Sequence, residues 1–265
     1  MTAPASTRIP VADGNIFCTF AGPRDGVRPA LLLLHGWTLD HRMWAPQLAA
    51  FANERLVLAP DRRGFGQSDA PPDAQREAGD LIAILNQFGA ETAVVVGMSQ
   101  AGRIALELGL RHRARLAALV LQGARFGAGA PEIPLRQYEA LARAGQLDEV
   151  RRLWAAHPLM RAATQHAEAA AAAMLAAYDG RDLLAPTKPL PELAAQDLDA
   201  IAAPALIVTG ALDTPLRIAS AAALAEALPG AGSEVLIEGA GHLCNLDQPE
   251  LYDQALRAFL RQHQL

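Results

Sequence analysis

The sequence predicts an α/β protein built on a doubly wound, mostly parallel β-sheet. Short, continuously apolar runs closed by turn residues are typical of strands buried on both faces of such a sheet. Helix-period segments alternate with these runs, which places the strand carboxyl ends along one edge, where a ligand crevice forms. The apolar runs are Ala30–Leu34, Arg55–Leu58, Thr92–Val96, Leu116–Leu121, Ala205–Val208 and Glu234–Ile237, and the helix-period segments are Asp73–Phe88, Gln100–His112 and Leu251–Gln262.

Residues 125–191 depart from this alternation because they contain helical periodicity and no convincing strand. We predict that they form a helical cap, placed as a lid over the crevice and inserted into a core made of residues 1–124 and 192–265. Ordinary crossover helices are the alternative. The features of this segment are helical stretches at Leu135–Ala144, Leu147–Ala156 and 162–178, prolines at 186, 189 and 191, and apolar residues that either line a pocket or form core, namely Trp154, Leu159, Met160 and Met174.

Composition narrows the classes of partner. The chain has 265 residues, 51% of them hydrophobic, which fits one domain with an insertion. A net charge of -5 indicates neither a nucleic-acid nor a membrane-surface partner. Two cysteines, Cys18 and Cys244, make no disulfide framework. With no secretory signal pattern and no long apolar run, we expect a cytoplasmic protein that does not span a membrane. The sequence leaves open whether the protein forms a homo-oligomer.

A serine stands where the third apolar run turns into a helix, in the segment GMSQAG at 97–102. Such a turn forces a strained backbone on Ser99 and lifts its Oγ above the sheet edge. Gly97 and Ala101 are small enough for the crowded turn, and Gly102 gives the helix room to pack on the strand. The usual Gly-x-Ser-x-Gly motif has glycine where this chain has Ala101. We predict that Ser99 is a nucleophile, with a helix N-cap as the alternative.

A serine hydroxyl is a weak nucleophile and needs a base. Asp213 follows the run Ala205–Val208, and His242 follows Glu234–Ile237, so both lie in short loops at strand carboxyl ends. We predict that Asp213 orients His242, which acts as the general base. A turn aspartate and a solvated loop histidine are the alternatives. The loop after Leu116–Leu121, the other place for the acid in such sheets, contains no carboxylate near the strand end.

Acyl transfer also needs hydrogen-bond donors aimed at the developing oxyanion. The backbone N–H of Gln100 begins the helix after the serine and points into that space. Gly36 lets the loop after the first apolar run approach closely, and the N–H of Trp37 is the second predicted donor. His35 is expected to tie this loop by hydrogen bonds. The Trp37 indole either lines the acyl pocket or packs in the core, and Met98 is assigned with Trp37 to substrate binding.

These motifs together resemble the α/β-hydrolase family of serine hydrolases over nearly the whole chain except the cap. The likeness is to small bacterial esterases and aryl-esterases, with enol-lactonases and cofactor-free haloperoxidases (perhydrolases) nearby. Thr38 stands where perhydrolases commonly have proline, and Ser99 argues against the family's aspartate-nucleophile dehalogenases and epoxide hydrolases. The elements that carry the likeness are 35–37, 61–69, 97–102, 210–213 and 241–242. The resemblance implies a structural role for the 61–69 block.

The predicted reaction is hydrolysis of a small-molecule carboxylic ester through an acyl-enzyme on Ser99. It requires no metal and no organic cofactor. A lactonase or a carbon–carbon bond hydrolase on the same three residues is the first alternative. A perhydrolase or haloperoxidase side activity and a non-catalytic ligand-binding protein are the others.

Overall fold

An eight-stranded sheet runs through the computed structural model, which describes residues 3–127, 131–185, 190–232 and 234–265. The strand order is β1-β2-β4-β3-β5-β6-β7-β8. Strand β2 pairs antiparallel with β1 and β4, and all other pairs are parallel, which confirms the predicted mostly parallel sheet. The strands are β1 (Ala5–Val11), β2 (Gly14–Ala21), β3 (Ala30–Leu34), β4 (Val57–Pro60), β5 (Ala93–Met98), β6 (Leu116–Gln122), β7 (Ala205–Gly210) and β8 (Val235–Ile237).

The three predicted helices outside the cap correspond to α2, α3 and α11, while α1, α8, α9 and α10 were not predicted. The helices are α1 (Ala45–Phe51), α2 (Ala74–Gln87), α3 (Gln100–Arg111), α4 (Leu135–Arg143), α5 (Leu147–Ala155), α6 (Gln165–Ala177), α7 (Arg181–Leu184), α8 (Ala195–Leu198), α9 (Pro215–Ala227), α10 (Cys244–Asp247) and α11 (Pro249–Gln262). Short 3-10 turns lie at His41–Trp44, Arg113–Arg115 and Pro158–Met160.

The core lies on both faces of the sheet, which explains the continuous apolar runs. In β3, Leu31 and Leu33 pack into one hydrophobic cluster, and Leu32 and Leu34 pack into the other. Successive side chains of a strand point to opposite faces, so both sets must be apolar. The hairpin of β1 and β2 was not predicted, because its strands mix polar with apolar residues and are partly exposed.

Helices α4 to α8 occupy the described residues between β6 and β7. Tyr138 of α4 and Trp154 of α5 are buried in the same hydrophobic cluster as one face of the sheet, and Met174 of α6 is core there. These helices therefore share a core with the sheet instead of forming one of their own. Residues 128–130 and 186–189 of the predicted cap, including Pro186 and Pro189, lie outside the described residues.

Two further features follow from the packing. Cys18 and Cys244 are free thiols, and burial raises the pKa of both well above the ordinary range. The helices that the structure describes include none with the length and apolar character needed to cross a membrane.

Candidate active site

Ser99 lies at the sharp turn between β5 and α3. Its backbone has φ 53° and ψ -115°, a strained combination for any residue but glycine, as the sequence predicts for this turn. Ser99 occupies the N-cap position of α3, but its side chain makes no capping hydrogen bond to the helix. A Cβ at Gly97 would lie 2.6 Å from the carbonyl oxygen of Ala101, and one at Gly102 would lie 2.5 Å from Cβ of Ala124. The turn therefore depends on the small residues around the serine.

The structure brings Asp213 and His242 together at the ends of the adjacent strands β7 and β8. His242 Nδ1 and Asp213 Oδ2 are 2.7 Å apart, and the backbone N–H of Thr214 donates to Asp213 Oδ1 at 2.7 Å. Both residues are buried, with 8% of Asp213 and 4% of His242 exposed. A solvated loop histidine is therefore excluded. In a neutral ring, the tautomer whose Nδ1–H donates to the carboxylate has Nε2 as its acceptor nitrogen.

The loop that holds Trp37 packs directly against the serine turn. A Cβ at Gly36 would lie 2.4 Å from Sδ of Met98 and 3.5 Å from Cβ of Ser99. A side chain at this position would therefore displace Met98. Trp37 and Gln100 lie in the wall of the same cavity as Ser99.

A cavity of about 320 Å³ is lined by all of the predicted site residues except Asp213. Ser99 and His242 open into it, and Trp37, Met98 and Gln100 form part of its wall. Residues between β6 and β7 cover it: Trp154, Leu159 and Met160 line the cavity, whereas Met174 does not. Its remaining lining residues are Leu39, Arg103, Arg125, Pro131, Glu132, Ile133, Leu135, Arg217 and Leu243.

The wall of this cavity is mostly apolar, with charged groups that are already engaged. Arg217 Nε donates to Glu132 Oε2 at 2.7 Å, and its Nη1 donates to the carbonyl of Gly123 at 2.9 Å. Thr214 Oγ1 donates to the second oxygen of Glu132. Glu132 thereby connects the helical segment, the described residues between β6 and β7, to the loop of Asp213. No motif in the sequence indicated this connection.

The Trp37 indole lines the cavity and also packs in the hydrophobic core. Its Nε1 donates to Asp182 Oδ2 at 2.7 Å, and the Tyr178 hydroxyl donates to the other oxygen of the same carboxylate. Burial raises the pKa of Asp182 and that of Tyr178. The ring also meets Trp154 edge to face, with centroids 4.7 Å apart. The orientation of the indole is therefore set by the helical segment.

Thr38 has φ 63°, which a proline ring, fixed near -65°, does not adopt. Its hydroxyl donates to the carbonyl of Trp37 at 2.6 Å and accepts from Nε1 of Trp154 at 2.8 Å. The departure from the perhydrolase pattern at this position thus corresponds to a specific contact with α5.

Gln122, at the end of β6, forms hydrogen bonds to the loop that contains His242. Its Nε2 donates to the carbonyl of His242 at 3.4 Å and to Asn245 Oδ1 at 2.9 Å. From the sequence, Gln122 was notable only because no carboxylate stands at this strand end. The hydrogen bonds among the described residues do not include one from Ser99 to His242, a contact that serine hydrolases often tighten only when substrate binds.

The fold gathers Asp40, His41 and Asp61, a group of ligand atoms within 4.8 Å of one another that the sequence did not indicate. Their oxygens are engaged within the protein. Asp61 Oδ1 accepts from the backbone N–H and from Nδ1 of His41. Arg42 pairs with both carboxylate oxygens of Asp40. These hydrogen bonds give the group a structural role next to the loop of Trp37.

The chain belongs to the alpha/beta hydrolase family, whose model matches residues 31–255, in agreement with its fold. It is similar to carboxylesterase YbfK of Bacillus subtilis (strain 168), at 25% identity over 93% of this chain and 84% of that protein. It is also similar to 3-oxoadipate enol-lactonase 1 of Acinetobacter baylyi, at 27% identity over 91% of each. A solved thermophilic esterase from Thermogutta terrifontis aligns with a TM-score of 0.71 at 26% identity, over 98% of this chain and 99% of that one.

Proposed function

We propose that this protein hydrolyses carboxylic esters through an acyl-enzyme on Ser99. The observation that carries the proposal is the buried Asp213–His242 pair, whose histidine lines the same cavity as a serine held in a strained turn. Strain at a single non-glycine residue is costly, and it is retained mostly where it serves a function.

In the proposed mechanism, His242 Nε2 takes the proton of Ser99 Oγ as the oxygen attacks the ester carbonyl. The backbone N–H groups of Trp37 and Gln100 stabilise the oxyanion of the tetrahedral intermediate. The imidazolium of His242, stabilised by Asp213, returns the proton to the leaving alcohol. Water then attacks the acyl-enzyme, with His242 again taking the proton, and releases the acid and free Ser99.

We further propose that residues 125–191 act as the cap of this site and determine which ester fits. Trp154, Leu159 and Met160 give the cavity an apolar wall beside the serine. An apolar wall beside the serine favours esters with a hydrophobic acyl or alcohol group.

A lactonase is the second candidate, and the full-length similarity to an enol-lactonase favours it. A lactone is a cyclic ester, so Ser99 and His242 would act on it by the same steps, with the leaving alcohol kept on the acyl chain. Turnover of p-nitrophenyl esters of increasing chain length, run beside a series of lactones, distinguishes the two.

Ser99→Ala tests the assignment. We expect a fall in kcat of about 10⁴-fold or more, with the unfolding midpoint preserved, and no labelling by a fluorophosphonate probe. Ser220→Ala is the matched control, because Ser220 is a buried serine whose hydroxyl donates to the carbonyl of Phe126. It should label and turn over as the wild type does. Undiminished labelling of Ser99→Ala would overturn the proposal.

A further inference from the structure

Arg62 is a buried arginine in the 61–69 block, to which the sequence analysis assigned no chemistry. Its guanidinium faces the Glu77 carboxylate in a two-bond pair, Nε to Oε2 at 2.6 Å and Nη2 to Oε1 at 2.8 Å. The side chains of Arg62 and Glu77 are only 3% and 7% exposed. Since α2 supplies Glu77, the position of Arg62 is set by a helix outside the cavity.

The same arginine reaches both chain segments that supply the proposed oxyanion donors. Its Nη1 donates to Gln100 Oε1 at 3.0 Å and to the carbonyl of His35 at 3.2 Å. Its backbone N–H donates to His35 Nε2 at 2.8 Å. One residue therefore bonds to the segment that contains Trp37 and to the first residue of α3.

The contact with His35 bears on the direction of the Trp37 N–H. Because His35 Nε2 accepts a hydrogen bond, the neutral ring has its proton on Nδ1, which donates to the carbonyl of Gly36 at 2.8 Å. Burial and the charge of Arg62 lower the pKa of His35 to about 4, so the ring is neutral at neutral pH. In a planar trans peptide the carbonyl of Gly36 and the N–H of Trp37 point in opposite directions. Holding the carbonyl on one side therefore aims the N–H to the other.

We propose that Arg62 is a positioning residue that aligns both oxyanion donors, Trp37 through His35 and Gln100 through its side-chain amide. The inference rests on the proposed function. Arg62 acts through these neighbours and does not itself touch the reacting atoms. It predicts that loss of the fork geometry of Arg62 weakens transition-state binding and leaves ground-state substrate binding unchanged.

Arg62→Lys tests this role, because lysine keeps a positive charge opposite Glu77 but lacks the planar fork that serves several acceptors at once. Arg63→Lys is the matched control. Arg63 is a buried arginine in the same block, paired by two bonds with Asp80, and its other bonds go to the carbonyls of Pro71 and Ala12. Both substitutions disturb one buried ion pair, so we expect similar losses of thermal stability.

We expect Arg62→Lys to lower kcat on the best p-nitrophenyl ester by about 10- to 100-fold, with KM within about twofold of wild type. Binding of a trifluoromethyl ketone, whose adduct with Ser99 places an oxyanion in the same position, should weaken by the same factor. Arg63→Lys should leave kcat and ketone affinity within about twofold of wild type. Equal effects of the two substitutions on kcat, or a kcat loss without a loss of ketone affinity, would overturn the role of Arg62.

Gln100→Met removes the acceptor for Arg62 and keeps the backbone N–H. If Arg62 acts through this side chain, the double variant with Arg62→Lys should lose less than the product of the two separate losses. Fully multiplicative losses contradict that path. Fluorophosphonate labelling separates this inference from the proposed function. A wild-type protein that fails to label and to turn over esters refutes the function, whereas a labelled, active wild type with unaffected Arg62→Lys refutes only the positioning role.

Discussion

Gly123 follows β6 and lies against the Asp213–His242 pair. A Cβ at this position would be 2.9 Å from both Cε1 and Nδ1 of His242 and 3.3 Å from Asp213 Oδ2. The backbone of Gly123 is held on both sides, since its N–H donates to the carbonyl of Val208 and its own carbonyl accepts from Arg217. In Gly123→Ala, the histidine must therefore move rather than the chain.

Two costs follow for Gly123→Ala. The residue has φ 53°, and placing alanine in this left-handed conformation costs about 1–2 kcal/mol of stability. The ring of His242 must also retreat from 2.9 Å to at least 3.4 Å, where ordinary contact begins. A displacement of about half an ångström in the proposed general base is expected to lower kcat/KM by about 10-fold, since 1 Å can cost about 100-fold.

Gly145→Ala is the matched control for Gly123→Ala. Gly145 also has a left-handed backbone, with φ 73°, but nothing lies within 4 Å of its added Cβ. Both variants should lose similar thermal stability, measured by the unfolding midpoint. Only Gly123→Ala should lose activity on a p-nitrophenyl ester and react more slowly with a fluorophosphonate. If Gly123→Ala retains kcat/KM within twofold of Gly145→Ala, the placement of His242 against this glycine is not important for turnover.

Two further predictions concern stability. The pKa of His35 is about 6.5 in the unfolded chain and about 4 in the folded protein. As pH falls from 6.5 to 4, the unfolded chain therefore binds a proton that the folded protein does not, and the free energy of unfolding decreases by up to about 3 kcal/mol. Above pH 6.5 this group causes no such loss. The difference in unfolding free energy between wild type and His35→Gln should therefore shrink from pH 7 to pH 4.5, and parallel curves would contradict this. Asp182→Leu leaves the Trp37 and Tyr178 donors without an acceptor and should cost about 1–3 kcal/mol in urea unfolding, whereas Asp182→Asn should cost less, because the Tyr178 hydroxyl can turn to accept. Equal midpoints for these two variants would refute that explanation.

The sequence was sufficient to predict the parallel part of the sheet, because strands buried on both faces need apolar side chains at every position. The run at Ala30–Leu34 is observed as β3 with the same bounds, whereas the run at Arg55–Leu58 is observed as β4, Val57–Pro60. The hairpin of β1 and β2 at the sheet edge lacks this pattern and was missed. The sequence was also sufficient to predict that Asp213 and His242 lie near each other. Each is in the loop that follows a strand, and the carboxyl ends of parallel strands lie along one edge of the sheet.

The contacts that orient the site were not predictable in the same way. Asp182 and Trp37 are separated by 145 positions in the sequence, and their bond depends on how the helical segment docks on the sheet. No motif or sequence spacing relates Trp37 to Asp182. Arg62 gave a partial signal, because its block was recognised, but the acceptors of a long side chain depend on packing rather than on any motif.

The loop 36–38 is held from two sides, and this has a consequence for the cap. From the sheet side, His35 fixes the carbonyl of Gly36. From the helical segment, Trp154 bonds to Thr38, and Asp182 bonds to the Trp37 indole. Substitutions in α5 or α7 at these two residues therefore act on the same loop that we assign to the oxyanion. In this protein, a change in the cap is expected to alter kcat as well as the choice of substrate, since its buried polar contacts end on the predicted catalytic loop instead of on the cavity wall alone.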